Sequence, residues 1–439
     1  MREAASSLSD SLNRGQPVVG VIGLGYAGLP LAAAFVEGGA KVVGFDIDPC
    51  KVEALRQGKS YLRHGGLNLA GMFDSDRFSA TTDMDRLREV QAILICVPTP
   101  LDAHQAPDLQ YVRSTVGDVA SRLQPGQLVV LESTSYPGTT RQEVLPALEA
   151  TGLGCGRDFY LAFSPEREDP GRQDRSTKTI PKLVGGVDAE SGELARRLYR
   201  LAVDRVILVD RAEVAEAAKL LENIYRAVNI AMVNELKLVF ERLDLDIWEV
   251  IEAAATKDFG FQAFYPGPGS GGHCVPVDPY YLSWKARAAG VNSRFIELAG
   301  EVNRAMPGHV VQRLLSCLNA EGKAVSRCRI LILGLAYKPD VDDCRESPSL
   351  SIADALRALG AEVDYNDPHV PEAPRTRSFR YRARSEPLSP AMLASYDATV
   401  ICTAHSAYDW NEVARCSALV VDTRNALANI TNRAHIHRA

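Results

Sequence analysis

No apolar run in these 439 residues approaches the roughly 18 residues that a membrane-spanning helix needs; stretches such as Ala92 to Val97 stop far short. Positive charge is not in excess either, because 49 Lys plus Arg stand against 55 Asp plus Glu for a net charge of −6. An acidic balance argues against nucleic acid or an anionic lipid surface as the main partner. The nine cysteines form no C-x-x-C pair, and no H-E-x-x-H occurs, so neither a disulfide framework nor a metal site is expected. The opening MREAASSLSDSLNRGQP lacks an apolar core and reads as a polar tail (1–16), not a signal peptide, which predicts a cytoplasmic protein.

What is present is an ordinary globular composition, 46% hydrophobic and 24% charged, at a length that suits about three domains. VVGVIGLGYAGLPLAAAFVEGGAKVVGFDID, from Val18, reads strand, glycine turn, helix, strand. Further short apolar runs at Ala92 to Val97, Leu128 to Leu131 and Tyr160 to Phe163 alternate with longer periodic segments, the pattern of a parallel sheet covered by helices. From Glu213 to about Leu243 there is no Gly or Pro, and apolar residues occupy most sides of the predicted helix, which suits burial between domains or subunits. RILILGLAYKP from Arg329, a helix from about Ser349 and AEVDYNDP repeat the strand, turn, helix, strand order. The predicted architecture is α/β: two Rossmann-like doubly wound domains (17–210 and 306–439) joined by a central helical domain with one long helix (211–305). The arginine-rich stretch from Pro374 to Arg384 is expected to be a solvated loop.

Two glycine-rich segments carry chemistry. In Gly23-Leu24-Gly25-Tyr26-Ala27-Gly28 the first glycine permits the tight turn, the second admits a pyrophosphate, and the third lets the helix pack on the strand. Asp46, closing the next strand, stands where an acid hydrogen-bonds the ribose hydroxyls of NAD and repels the extra phosphate of NADP. A merely structural glycine turn is the alternative. Gly267-Pro-Gly-Ser-Gly-Gly-His-Cys274 is expected to leave backbone N–H groups free around a ligand and to present one thiol on an accessible loop. Nearby donors or a cation could activate Cys274 as a nucleophile, whereas the other eight cysteines read as small buried hydrophobes. His273 is better suited to a loop role than to acting as base for its sequence neighbour. Lys219 and Asn223, four residues apart, share a helix face as either a structural polar contact or an oxyanion-stabilising pair, and spacing alone favours the former. Glu166 follows a strand, where α/β folds bind ligands, but it also suits a helix N-terminus.

Taken in order, GLGYAGLP, DIDPCKVEALRQGKSY, CVPTPL, ESTSYPGTT, SPEREDPGR, EAAKLLENIYRAVNIAMVNE, YPGPGSGGHCVPVDPYYL and GLAYKPDVDDCRESPS resemble the nucleotide-sugar 6-dehydrogenases, from about Val18 to Asn425. That resemblance implies a four-electron oxidation of a sugar C6 alcohol to a carboxylate with NAD and without metal. It implies that Cys274 forms a thiohemiacetal and then a thioester, and that Lys219 and Asn223 stabilise charge on the C6 oxygen. Asp278 would orient water or the lysine, Glu166 would act as acid/base, and Thr134 would lie near the water and nicotinamide. For NAD it implies Gly23 to Gly28, Asp46, Lys51, Val97, Pro98, Thr99, Ser133, Thr134 and Arg345. For the UDP-sugar it implies Glu166, Arg167, Lys219, Asn223, Tyr265, Gly267, Gly269, Gly271 and Lys338, with the third domain as the UDP-binding half and the long helix as the core of a homodimer or larger homo-oligomer. G-S-G-G-H-C-V-P, IPKLVGG (180–186) and SPEREDPG resemble the N-acetylhexosamine branch, and Asp258 stands where the UDP-glucose enzymes supply an arginine. The expected substrate is UDP-N-acetylglucosamine, with its galacto and manno epimers next and UDP-glucose as the alternative. A nucleotide-sugar-binding regulator without turnover would have no use for the thiol, and a two-electron 3-hydroxyacid dehydrogenase would have none for the cysteine loop or third domain.

Overall fold

The computed structural model describes residues 2–62, 69–73, 75–102, 104–167, 177–373, 383–431 and 434–439. The chain packs as two compact units, Met1–Glu222 with Tyr280–Asn292 and Asn223–Pro279 with Ser293–Ala439. No helix among the described residues is long and apolar enough to cross a membrane. Most of the stretch expected as an arginine-rich loop, and the end of SPEREDPG, lie outside the described residues.

The first unit is built on an eight-stranded sheet: β1 (Val18–Ile22), β2 (Lys41–Phe45), β3 (Phe78–Thr81), β4 (Ala92–Ile95), β5 (Leu128–Leu131), β6 (Tyr160–Phe163), β7 (Lys182–Gly186) and β8 (Val206–Val209). Their order is β3-β2-β1-β4-β5-β6-β7-β8, so the chain reverses direction across the sheet between β1 and β4, the crevice where doubly wound folds bind dinucleotides. The strands run parallel except that β7 lies antiparallel to β6, with Ala162 opposite Gly186 and Phe163 opposite Gly185. β4, β5, β6 and β7 are buried throughout because helices cover the sheet; β4, β5 and β6 are continuous apolar runs, whereas β7 opens on the buried Lys182.

The polar opening is not a free tail. Residues Arg2–Asn13 form a helix whose Leu8 and Leu12, four apart, are buried in the core of the first unit. The helical region also differs from expectation, since it contains two long helices, Ala212–Arg242 and Arg294–Ala320. The second of these runs straight through the boundary expected at 305/306.

The second unit carries a five-stranded parallel sheet of β9 (Arg329–Leu333), β10 (Glu362–Asn366), β11 (Ala398–Ile401), β12 (Val420–Asp422) and β13 (Ile436–Arg438), ordered β10-β9-β11-β12-β13. The helix Pro348–Ala358, capped by Ser347 and begun by a proline, returns the chain from β9 to β10. A smaller apolar cluster gathers Val233, Ile247, Trp248 and Ile251 beside the helix Ala212–Arg242.

Candidate active site

In the first unit the three turn glycines have three separable physical roles. Gly23 takes φ of 91°, and a Cβ there would lie 2.6 Å from the Cys96 carbonyl oxygen. A Cβ on Gly28 would fall 1.9 Å from the Gly23 oxygen, so only glycine lets the helix Gly28–Glu37 approach the strand. A Cβ on Gly25 would meet nothing within 4 Å, which leaves open space beside that backbone. No side chain caps the helix that follows, so its N-terminal N–H groups suit an anion. The Leu24 side chain is buried, and its N–H donates to Asp46 Oδ2 at 3.0 Å, while Asp48 N–H donates to Asp46 Oδ1 at 3.0 Å. Lys51 Nζ lies 3.4 Å from Asp46 Oδ2. An open cradle at Gly25, an uncapped helix start and a carboxylate at the end of β2 together fit a dinucleotide.

Sequence reasoning missed Tyr61. Its hydroxyl donates to the Leu24 carbonyl, Lys51 lies over its ring at 5.8 Å, and burial followed by the Asp46 charge pushes its phenol well up. The signal was the tyrosine closing the DIDPCKVEALRQGKSY segment.

The loops after β4 and β5 meet through Ser133, whose hydroxyl donates to the carbonyls of Ile95 at 3.2 Å and Val97 at 2.7 Å. Thr99 is buried, Pro98 exposed, and Val97, Tyr26, Ala27 and Thr134 half-buried. After β6, Glu166 Oε1 accepts the Arg167 N–H at 2.7 Å, and no helix begins at Glu166 among the described residues. The Arg167 guanidinium is bound to Glu222, at 3.2 and 2.7 Å, and to the Pro181 carbonyl. Lys219 is buried on the long helix.

The second unit brings Asn223, Cys274 and Asp278 together. Asn223 Nδ2 donates to Asp278 Oδ2 at 2.6 Å, both side chains being buried, and Asp278 N–H donates to the Cys274 carbonyl at 2.8 Å. Cys274 and His273 are half-buried. The glycines before the thiol are there for close packing. A Cβ on Gly271 would lie 2.6 Å from Tyr337 Cβ, and one on Gly272 would lie 2.9 Å from the Tyr337 ring. Gly272 N–H donates to the Arg345 carbonyl at 3.0 Å, which fixes the cysteine loop on the loop that follows β9. Gly269 takes φ of 124°, with the Asn303 carbonyl 2.9 Å from where a Cβ would stand. Gly267 N–H donates to Asn234 Oδ1 at 3.0 Å.

Lys338 is half-buried in the loop after β9, and Tyr265 is exposed with its hydroxyl on Glu252 at 2.7 Å. Arg345 is bidentate on the buried carboxylate of Asp343, at 3.0 and 2.7 Å. Arg424 went unnoticed in the sequence. Its Nε donates to the Cys402 carbonyl at 2.9 Å and a Cβ on Gly267 would lie 2.4 Å from its Nη1, so its guanidinium is held behind the glycine loop, where burial pulls its pKa down. Of the remaining cysteines, Cys317, Cys328, Cys344 and Cys402 are buried as expected, but Cys50 is exposed at the start of its helix and Cys96, Cys155 and Cys416 are half-buried.

Among the described residues Asp340, His369 and His405 offer ligand atoms within 4.8 Å of one another. His405 Nδ1 already accepts the Asp340 N–H at 2.9 Å and its Nε2 faces Asp367 Oδ2 at 3.0 Å, so both ring nitrogens are engaged in a hydrogen-bond node.

Comparison with known proteins covers both units. Family models described as "UDP-glucose/GDP-mannose dehydrogenase family" match in three parts: the NAD binding domain at residues 18–203, the central domain at 213–305 and the UDP binding domain at 331–429. The chain is 35% identical over 394 residues to a UDP-N-acetyl-D-glucosamine 6-dehydrogenase of Pseudomonas aeruginosa, covering 89% of this chain and 91% of that one. It is 33% identical over 416 residues to a UDP-N-acetyl-D-mannosamine dehydrogenase of Pyrococcus horikoshii, covering 93% and 96%. A solved UDP-D-ManNAc dehydrogenase from Pyrococcus horikoshii superposes with a TM-score of 0.87 at 32% identity, over 96% of this chain and 98% of the other.

Proposed function

The chain belongs to the UDP-glucose/GDP-mannose dehydrogenase family, NAD-dependent oxidoreductases of UDP-sugars, and from that premise we propose that it oxidises C6 of UDP-N-acetylglucosamine to the uronic acid. The observation that carries the reading is the buried Asn223–Asp278 hydrogen bond, tied through the Asp278 N–H to the backbone of Cys274. A buried amide and carboxylate need a reason to accompany a thiol, and charge developing at a reacting oxygen supplies one.

In this reading NAD+ accepts hydride in two successive oxidations. The Gly23 to Gly28 turn, Asp46, Lys51, Val97 to Thr99 and Ser133 hold it. Cys274 adds to the C6 aldehyde, so the reactive carbonyl is retained as a thiohemiacetal and becomes a thioester on the second oxidation. Lys219 and Asn223 stabilise negative charge on the C6 oxygen, Asp278 orients the amide, and Glu166 with Thr134 serves the water that hydrolyses the thioester. Lys338 and Arg424 suit the diphosphate by charge, and Arg167, Tyr265, Gly267, Gly269 and Gly271 line the remainder of the substrate's path.

UDP-N-acetylmannosamine is the second reading, supported by the names of the Pyrococcus relatives. Tyr225, Met232 and Val239, seven apart and exposed on the helix Ala212–Arg242, support a homodimer through that stripe. Met232→Glu in that stripe should produce monomers in sedimentation equilibrium.

The deciding experiment is the NADH yield with excess NAD+ and a limiting amount of each UDP-sugar. Two NADH per UDP-N-acetylglucosamine, and little from the manno epimer or UDP-glucose, is expected. A full yield from the manno epimer alone transfers the assignment to it, and one NADH per sugar removes the thioester. Cys274→Ser should stall after the first oxidation.

A further inference from the structure

Glu132, at the end of β5, is fully buried, and two donors meet its carboxylate. Lys182 Nζ lies 2.6 Å from Oε2, and the Tyr199 hydroxyl donates to Oε1. Lys182 opens β7, and the antiparallel pairing of that strand decides what the lysine faces. Continuing the register three residues beyond the Phe163–Gly185 pair sets Lys182 opposite Glu166. The side chains follow suit, since Lys182 Nζ is 3.8 Å from Glu166 Oε2. The Ser164 hydroxyl holds the two segments in this alignment by donating to the Leu183 carbonyl at 2.8 Å.

Lys182 is charged. Burial pulls its ammonium down, but the carboxylates of Glu132 and Glu166 overcome that and push it up to about 12. Burial raises the Glu132 carboxyl, against the pull of the same lysine. With an ammonium and a phenol both donating to it, the carboxylate is the form the site satisfies. At 3.8 Å the ammonium imposes its charge on Glu166 from beyond hydrogen-bond range, because its short bond is made to Glu132. A buried ion pair contributes little net stability relative to apolar residues of the same volume, so stability alone does not account for placing this one against Glu166.

We propose that Lys182, anchored by Glu132 and Tyr199, is a positioning residue for Glu166, fixing the location and charge environment of that carboxylate for hydrolysis of the Cys274 thioester. The inference rests on the hydrolytic role proposed for Glu166. In that step water adds to the thioester carbonyl, the C–S bond breaks, the thiolate regains its electron pair, and the proton from water passes to the Glu166 carboxylate. The two oxidations precede this step, so Lys182 acts only once the second NADH has formed.

The test uses the full chain in stopped flow with saturating NAD+ and UDP-sugar, alongside intact-mass measurement of the enzyme. Lys182→Gln keeps a donor for Glu132 and removes the charge. It should give a burst of two NADH per site, a steady-state kcat lower by about 10- to 100-fold, an adduct on Cys274, and a KM for the sugar within about 2-fold of wild type. Lys182→Arg should restore most of the turnover. If the single variant does not fold, Glu132→Gln with Lys182→Met removes both buried charges together and carries the same expectation. A Lys182→Gln enzyme with wild-type steady state, or one that loses burst and steady state in equal proportion, overturns the proposal. Glu166→Gln separates the two layers. If it stalls after the burst while Lys182→Gln turns over normally, the positioning role alone fails, and if Glu166→Gln itself turns over normally, the assignment of Glu166 fails.

Discussion

The two units contain the same turn put to different uses. In the first, Gly23 follows β1 with φ of 91°, donates its N–H to the Phe45 carbonyl at 2.8 Å, and packs on the chain after β4. In the second, Gly334 follows β9 with φ of 84°, donates to the Asn366 carbonyl at 2.9 Å, and packs on Thr403 after β11. Each turn is capped by an acid just past the next strand. Asp46 receives Leu24 N–H and Asp48 N–H and is flanked by the half-exposed Lys51. Asp367 receives the N–H groups of Leu335, Ala336, His369 and Val370 at 2.7 to 3.1 Å, and the buried His405 closes its remaining side. A carboxylate with acceptor capacity left differs from one already filled by its own fold, and that difference, more than strand order, distinguishes the two turns.

The largest effect should follow from emptying the filled site. Asp367→Ala strands four backbone donors and a histidine in the interior, and should lower stability of the second unit by about 3–5 kcal/mol in denaturant unfolding. Burial pushes the Asp367 carboxyl up, but His405 and the backbone donors prevail and hold it below its ordinary value. Its stabilising contribution is therefore complete above the unfolded value near pH ~4 and disappears as the pH falls through the folded value. Wild type should accordingly show a steeper acid loss of stability below about pH 4 than Asp367→Ala. Equal acid slopes would place the cap elsewhere.

Glycine substitutions sharpen the contrast. Gly334→Ala forces a Cβ to within 2.4 Å of Thr403 Cβ at positive φ, and should cost about 1–3 kcal/mol in stability. Gly25→Ala places its Cβ in open space, so stability should change by less than about 1 kcal/mol. The NAD+ KM should nonetheless rise about 10-fold or more because the methyl occupies the pyrophosphate's approach. Asp46→Ala completes the series, with NAD+ affinity reduced by about 10- to 100-fold through loss of a charged acceptor and the UDP-sugar KM near wild type. An equal loss for both substrates would contradict the reading of Asp46.

How much of this was legible in sequence depends on the range of each interaction. Gly23 to Asp46 is one local strand, turn, helix, strand unit, so spacing alone located it. Lys219 and Asn223 share a helix face by their spacing, but the Asp278 that meets Asn223 lies 55 residues away and no periodicity reports it. The direction of β7 was hidden for the same reason, because strand composition carries no polarity. IPKLVGG therefore served as a family marker while the placement of Lys182 against Glu166 went unseen. Leu8 and Leu12 are a different kind of miss. Their i,i+4 spacing was available, and the polar residues around it obscured a helix that the core of the first unit accepts.

Lys51 provides the smallest and most discriminating test of why the two acids differ. His405 is buried against Asp367, whereas the Lys51 side chain is 36% exposed and stands 3.4 Å from Asp46. A pair so open to water contributes at most about 1 kcal/mol, and usually less, after solvent screening. Its position 5.8 Å over the Tyr61 ring adds a contact of similar small size. Lys51→Ala should leave the unfolding midpoint nearly unchanged and raise the NAD+ KM by about 2- to 3-fold, an effect that shrinks with added salt. It should also deepen the preference for NAD+ over NADP+, because Asp46 then faces the extra phosphate without a neighbouring cation. A Lys51→Ala variant as unstable as Asp367→Ala would mean that Asp46 is as fully occupied by its own fold as Asp367, and the distinction between the two turns would have to be sought in the glycines alone.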